Sequence, residues 1–271
     1  MVPFDFTEIS ENAIDYAGKL ARIFKYSLTI VNILTADSKA YFAENNMDTA
    51  KQDEHLKKLA RKKSIQHIID VHYVNNQGDI NTIGSEAKKI GANFIVIGID
   101  KPKKTSSKLL QVIGDAPVPS FVIQHKIDSP TFRNIVFPVD LTDKTRQKTG
   151  WTIRVAKLAN SRVHIFAIGV TEQFQRTHQN ATLKMIEKEF TDYGVPFETS
   201  SAKGKQKDFP EELMNFAKSK YGDLFVVMKT PTTYFSSLFY SPADLKIIMN
   251  ELKVPCLCIN PRDTGKTVVG L

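Results

Sequence analysis

Two stretches of this chain are nearly the same. Val2-Pro3-Phe4-Asp5-Phe6-Thr7 returns as Phe137-Pro138-Val139-Asp140-Leu141-Thr142, at an offset of 135 residues (Pro3 on Pro138). The same offset sets Leu20 on Val155, Ala21 on Ala156, Leu28 on Val163, Ile30 on Ile165 and Ile33 on Ile168. Near the ends, Val118-Pro119 falls on Val254-Pro255, now at an offset of 136. A repeat this long is a duplicated domain, because solenoid units are far shorter. The 271 residues therefore divide into domains at residues 1–128 and 132–271, joined by the turn-forming Asp128-Ser129-Pro130.

Each half alternates short apolar runs with helical spacing. In the first, Val2–Phe4, Leu28–Leu34, Ile68–Tyr73, Phe94–Gly98 and Ser120–Gln124 read as strands. Asn12–Phe24, Thr49–Ser64, Ile80–Ile90 and Ser107–Ile113 read as helices. The second half repeats the order. Its strands are Asn134–Val139, Val163–Ile168, Pro196–Thr199, Leu224–Met228 and Cys256–Ile259. Its helices are Gly150–Ala159, Ala181–Tyr193, Pro210–Lys218 and Ala243–Leu252. Strands without polar alternation belong in a parallel sheet covered on both faces. With right-handed crossovers, each half is then an open, doubly wound α/β domain. The first strand of the first copy is clipped to Met1-Val2 where the second copy has Asn134-Ile135-Val136-Phe137.

The Pro-x-Asp-x-Thr turns at Asp5 and Asp140 resemble the Val-Pro-x-Asp-x-Ser start of the universal stress protein family. Gln77-Gly78-Asp79-Ile80, Gly91-Ala92-Asn93-Phe94-Ile95-Val96-Ile97-Gly98 and Ala116-Pro117-Val118-Pro119 resemble its later signatures, in order. The chain thus resembles a tandem member of that family. The resemblance implies two five-stranded parallel sheets of order 3-2-1-4-5, in the adenine nucleotide alpha hydrolase-like manner. It also implies a division into ATP binders and non-binders. Binders carry Gly-x-x-Gly and a later Gly-Ser or Gly-Thr after the fourth strand, where backbone N–H groups and a helix N-terminus can close round phosphates. The first-strand aspartate, here Asp5 or Asp140, lies near the adenosine end.

This chain departs from the binder pattern. Gly98 is kept, but Ile99-Asp100-Lys101-Pro102-Lys103-Lys104 lacks the second glycine, and Ser106-Ser107 replaces Gly-Ser. The second copy reads Met228-Lys229-Thr230-Pro231-Thr232-Thr233 and then Pro242-Ala243, with no glycine. Seryl Cβ atoms crowd a backbone that must approach phosphate. Lys101, Lys103, Lys104 and Lys108 nevertheless put positive charge before a short helix capped by Thr105 or Ser106, at the carboxyl end of a parallel strand where such folds bind ligands. The candidate cleft is therefore Asp5, Gly98, Lys101, Lys103, Lys104, Ser106 and Ser107, holding a phosphate or other anion by lysine charge. A solvated basic loop accounts for the same lysines. In the second copy, Tyr234-Phe235-Ser236-Ser237-Leu238-Phe239-Tyr240 stands where a phosphate loop would be. Those rings fill the vacant cleft, form a patch for a partner, or pack a core loop.

The net charge of +8 attracts anions in general, but no nucleic-acid recognition motif accompanies it. Lys57-Lys58-Leu59-Ala60-Arg61-Lys62-Lys63 reads as a solvated basic helix face. Cys256 and Cys258 share one face of a strand and read as buried thiols, with no metal site around them. The six histidines show no ligand spacing, and His164 faces away from Val163 and Ile165. Gly265-Lys266-Thr267 lacks the rest of a P-loop. No catalytic constellation stands out, and the Ser-Gly-Gly loop of related ATP pyrophosphatases is absent. No apolar run spans a bilayer and the first ten residues carry Asp5 and Glu8, so a cytoplasmic location is expected.

The expectation is a non-catalytic stress-response protein that binds a small molecule, an anion or a protein partner. The alternative is an ATP binder with slow hydrolysis in the first domain, in which case an adenine nucleotide is the cofactor. Pairing of the two fifth strands, Ser120–Gln124 and Cys256–Ile259, would give an intramolecular pseudo-dimer, with homodimerisation of the whole chain as a further step. Neither nucleic acid nor membrane is expected as a partner.

Overall fold

Apolar runs become strands where both of their faces are covered. Val2–Phe4 (β1), Leu28–Leu34 (β2), Ile95–Gly98 (β4) and Ser120–Ile123 (β5) are such runs, and Val71–Asp79 (β3) lies at the sheet edge. These belong to unit 1 of a computed structural model that describes residues 1–100, 110, 112–140, 145–204, 206–229 and 242–260. The chain separates into unit 1, Met1–Pro130, and unit 2, Thr131–Leu271.

In unit 1, β1 pairs with β2, β2 with β3 and β4 with β5, all in parallel. The Val96 N–H donates to Met1 O (2.9 Å), and the Met1 nitrogen donates to Phe94 O (3.0 Å). These bonds place β1 between β2 and β4. The helices are Glu8–Phe24 (α1), Ala36–Glu44 (α2), Thr49–His67 (α3) and Ile83–Lys89 (α4), the last preceded by a 3-10 turn at Ile80–Thr82. Unit 2 contains Asn134–Val139 (β6), Thr145–Ala159 (α5), Arg162–Ala167 (β7), Gln173–Asp192 (α6), Phe197–Ser201 (β8), Phe209–Ser219 (α7), Leu224–Met228 (β9), Pro242–Ile248 (α8) and Cys256–Ile259 (β10). Its strands pair in parallel in the order β8-β7-β6-β9-β10. Both units are α/β with parallel sheets.

Several elements differ from the sequence reading: α1 and α5 start earlier, at Glu8 and Thr145, α8 stops at Ile248, and three differences are larger. Ile68-Ile69, read as the start of a strand, is the exit of α3, and β3 begins only at Val71. α2 has no counterpart in the reading, because only Ser38 and Phe42 of its nine residues are buried and no apolar stripe announces it. α6 begins at Gln173, well before Ala181, through a polar first half in which Phe174 is exposed. Side-chain caps set the starts of α1, α2 and α3. Thr7 Oγ1 accepts from Ser10 N, Asp48 Oδ1 accepts from Lys51 N, and Thr35 and Ser38 form a reciprocal capping box.

Charge ties α1 to α3. Asp15 Oδ1 accepts from Lys63 Nζ (2.7 Å) and Gln66 Nε2 (3.0 Å) and lies 3.0 Å from His67 Nε2. Glu11 adds a second carboxylate 3.3 Å from Lys63. Lys63 is only 2% exposed, so the last lysine of the basic run is a buried ion and not part of a solvated face. Burial alone would raise the Asp15 pKa, but the hydrogen bonds from Lys63 and His67 and their charges outweigh it and hold the carboxyl below its ordinary value. That stabilisation is present above the unfolded pKa and is lost as pH falls through the folded one. Asp15→Asn leaves a buried ammonium under-compensated and should cost about 3 kcal/mol in urea unfolding at pH 7. The Asp15→Leu/Lys63→Met double variant should recover most of that loss. Equal losses in the single and double variants would show that the pair is not the stabilising feature.

Candidate functional site

In open parallel sheets the chain leaves each strand at the carboxyl edge, and that edge is where ligands bind. In unit 1 it is built around Asp5. The Asp5 carboxylate is 9% exposed and accepts from Thr7 Oγ1 (2.6 Å), Thr7 N (3.3 Å) and, across to the start of α2, Thr35 Oγ1 (3.3 Å). It therefore ties the exit of β1 to the exit of β2 through neutral hydroxyls. The next residue, Phe6, sits at φ 65°, in the left-handed region that costs a non-glycine residue about 1–2 kcal/mol. Its ring is held by Phe4 (4.6 Å between centroids), Phe42 (4.8 Å), His55 (5.1 Å) and Tyr41 (5.2 Å, stacked). These ring contacts offset the backbone strain. Burial lowers the His55 pKa, against the charge of Glu11 and with that of Lys58.

Gly98 ends β4 on this edge. A Cβ there would collide with the backbone carbonyl of Ile9, in the first turn of α1. Packing against α1 therefore accounts for glycine at this position without any phosphate. Next to β1, Asn32 of β2 is fully buried. Its amide donates to Asn75 Oδ1 (2.8 Å), and its own Oδ1 has no partner among the described residues. Lys101, Lys103, Lys104, Ser106 and Ser107 lie outside the described residues, as do Lys108, Thr105 and the aromatic stretch 234–240.

The unit 2 edge has a different chemistry. Asp140 holds the place of Asp5, and Lys148 stands where unit 1 has Ala13, by the repeat offset of 135 (148 − 13). Lys148 is buried in α5. Its Nζ donates to Pro138 O and lies 4.4 Å from the Phe137 ring centroid. Burial pulls its pKa down to about 8, against the charges of Asp140 and Asp244, which favour the ammonium. Lys229, after β9, is buried as well. At the exit of β8 the Glu212 carboxylate accepts from the backbone N–H groups of Lys203 and Gly204, both at 2.8 Å, so a nest that could take an anion already holds one.

The sequence reading missed Lys148, Asp244, Thr35 and the rings around Phe6. Lys148 left a trace, since it lies one helical turn before the buried Thr152, on the core side of α5. Of the remaining expectations, Cys256 and Cys258 are buried and not joined in a disulfide, and burial pushes the Cys256 thiol well above its ordinary pKa. His164 is buried between Glu198 (2.8 Å) and Asn134 (3.0 Å). Among the described residues no group of His, Cys, Asp and Glu could hold a metal, and no helix is long and apolar enough to cross a membrane.

Lys148 gives a pH signature with a definite sign. Its folded pKa lies below the ordinary lysine value of 10.5. The unfolded chain therefore binds more protons between about pH 8 and 10.5, and the contribution of this group to stability rises across that window. The unfolding free energy of the wild type minus that of Lys148→Met should increase between pH 7.5 and 9.5 in paired urea titrations. A flat difference would place the Lys148 amine in water, and a falling one would show that its ion partners outweigh its burial.

Residues 1–123 match the Universal stress protein family. No curated protein matches the chain. Among solved structures, a universal stress protein from Archaeoglobus fulgidus superposes with a TM-score of 0.73 at 15% identity, covering 97% of this chain and 98% of that one. A putative universal stress protein from Pseudomonas aeruginosa gives 0.66 at 16% identity, covering 97% and 92%. A functionally unknown protein from the same species gives 0.65 at 16% identity, with the same coverage. At these identities the likeness is one of fold.

Proposed function

We propose that this chain, whose residues 1–123 belong to the universal stress protein family, acts by binding without turnover. Its ligand edge is in unit 1, and its unit 2 edge is satisfied by its own side chains. The observation that carries this reading is the contrast between Ala13 and Lys148. Unit 2 brings a buried ammonium to its edge and faces it with Asp140 and Asp244. Unit 1 has a buried methyl group at the same place, and among the described residues Asp5 meets hydroxyls and an amide, not a cation. An adenine nucleotide or a related anion suits this edge. Asp5 can accept from a sugar or base donor, and Lys101, Lys103 and Lys104, which follow Gly98 in sequence, supply positive charge to phosphate. With Oδ1 shared by two donors from Thr7, Asp5 serves as an acceptor and strut, not as a base poised to activate water.

Titration calorimetry with ATP, AMP and inorganic pyrophosphate tests this. One equivalent of nucleotide per chain is expected, with no phosphate release above the buffer rate. Joint replacement of Lys101, Lys103 and Lys104 by alanine should weaken binding by about tenfold or more. No heat and no thermal shift with any of the three ligands at millimolar concentration would overturn the reading. Two equivalents per chain would overturn its unit 2 half. Phosphate release that vanishes in Asp5→Asn would favour slow hydrolysis instead.

A further inference from the structure

Two isoleucines at the exit of α3 stand in water. Ile65 is 72% exposed and Ile68 is 80% exposed. Ile68 also closes the helix at φ 56°, in the left-handed conformation, with its N–H donating to Ser64 O. That position favours glycine or asparagine, and a β-branched side chain there is a steric outlier. Ile68 thus neither packs into a core nor relaxes the backbone, so the fold does not account for it. Strain of this kind that the fold does not use points to function.

The surroundings are basic. Lys58, Arg61, Lys62 and Ile65 follow the spacing i, i+3, i+4, i+7, so they form one stripe, and all four are exposed. Leu56, Leu59, Lys63 and His67 form the buried stripe of the same helix. α1 runs beside α3, held by the Asp15 cluster, and ends at Arg22 and Lys25, both exposed. The bond from Leu28 N to Asp70 O (2.9 Å) keeps the two helix exits together. Asp70 is the exposed acid at that exit, and Glu54 pairs with Lys58 at 2.7 Å further up α3.

We propose that this end of unit 1 docks peripherally on an anionic lipid bilayer. Ile65 and Ile68 enter the boundary between headgroups and acyl chains, while Arg61, Lys62, Lys58, Arg22 and Lys25 face lipid phosphates and carboxylates. Apolar side chains projecting from a basic rim match a surface that is negative outside and apolar just beneath, and neither signal alone gives stable attachment. From sequence no membrane partner is expected, since the basic run Lys57–Lys63 reads there as a solvated face and Ile68 as the start of a strand. The inference does not depend on the ligand edge.

Vesicle sedimentation of the full chain tests it. Phosphatidylcholine vesicles with about one-third phosphatidylserine are compared with phosphatidylcholine alone. Binding is expected to the anionic vesicles only, weakening as salt rises. Ile68→Gly should raise the melting temperature, since glycine suits the backbone, and yet lower the bound fraction about threefold or more. Arg61→Glu/Lys62→Glu should abolish binding, and Asp70→Asn should strengthen it. Opposite effects of Ile68→Gly on stability and on attachment are not expected of a merely structural residue. Equal partition onto neutral and anionic vesicles, unchanged binding by Ile65→Ser/Ile68→Gly, or capture of an acidic polypeptide without vesicle binding would each overturn the proposal.

Discussion

A parallel sheet obliges every strand to hand its chain to a helix at the same edge, and the rest of this molecule depends on how the polar groups exposed there are met. In unit 1 the solution is neutral: Asp5 gathers hydroxyls from Thr7 and Thr35 and so fixes two strand exits against each other. In unit 2 it is ionic: the Lys148 ammonium is drawn under the edge, between the Pro138 carbonyl and the Phe137 ring, with Asp140 and Asp244 for company. A neutral network leaves a carboxylate able to accept again. An ionic one in a dry place has little to gain from an incoming charge, because the ligand would have to displace a partner already desolvated.

The two copies therefore differ in electrostatics at this edge. Their strands follow the same parallel logic and their first helices occupy corresponding places, but where unit 1 has Ala13, unit 2 has the buried Lys148. The added helix α2 and the ring of Phe6 mark unit 1 further. Tyr41 and Phe42 come from α2 and close on Phe6, so the left-handed turn after Asp5 is held by aromatic contacts from outside the turn.

Much of this was legible in the residues because a doubly covered strand leaves a simple mark. Val2–Phe4, Leu28–Leu34, Asn134–Val139, Leu224–Met228 and Cys256–Ile259 have the bounds that their apolar runs indicate. Helices with weak apolar stripes were harder. α2 buries only Ser38 and Phe42, and the first half of α6 buries little, so periodicity had nothing to detect. Buried charge was the other blind spot. Lys63 ends a basic run and Lys148 left only its place one turn before Thr152, and the third dimension shows Asp15 closing on one and Pro138 on the other. The role of Gly98 was also underdetermined, since a phosphate approach and a helix approach make the same demand for a missing Cβ.

The contact between Gly98 and the Ile9 carbonyl has a mechanical consequence. Where the strand end comes this close to the Ile9 backbone, little free space is left to absorb a displacement. The tip of β4 and the first turn of α1 therefore behave as a stiff joint. Whatever presses on the loop beyond Gly98 must either leave α1 where it stands or tilt it as a whole.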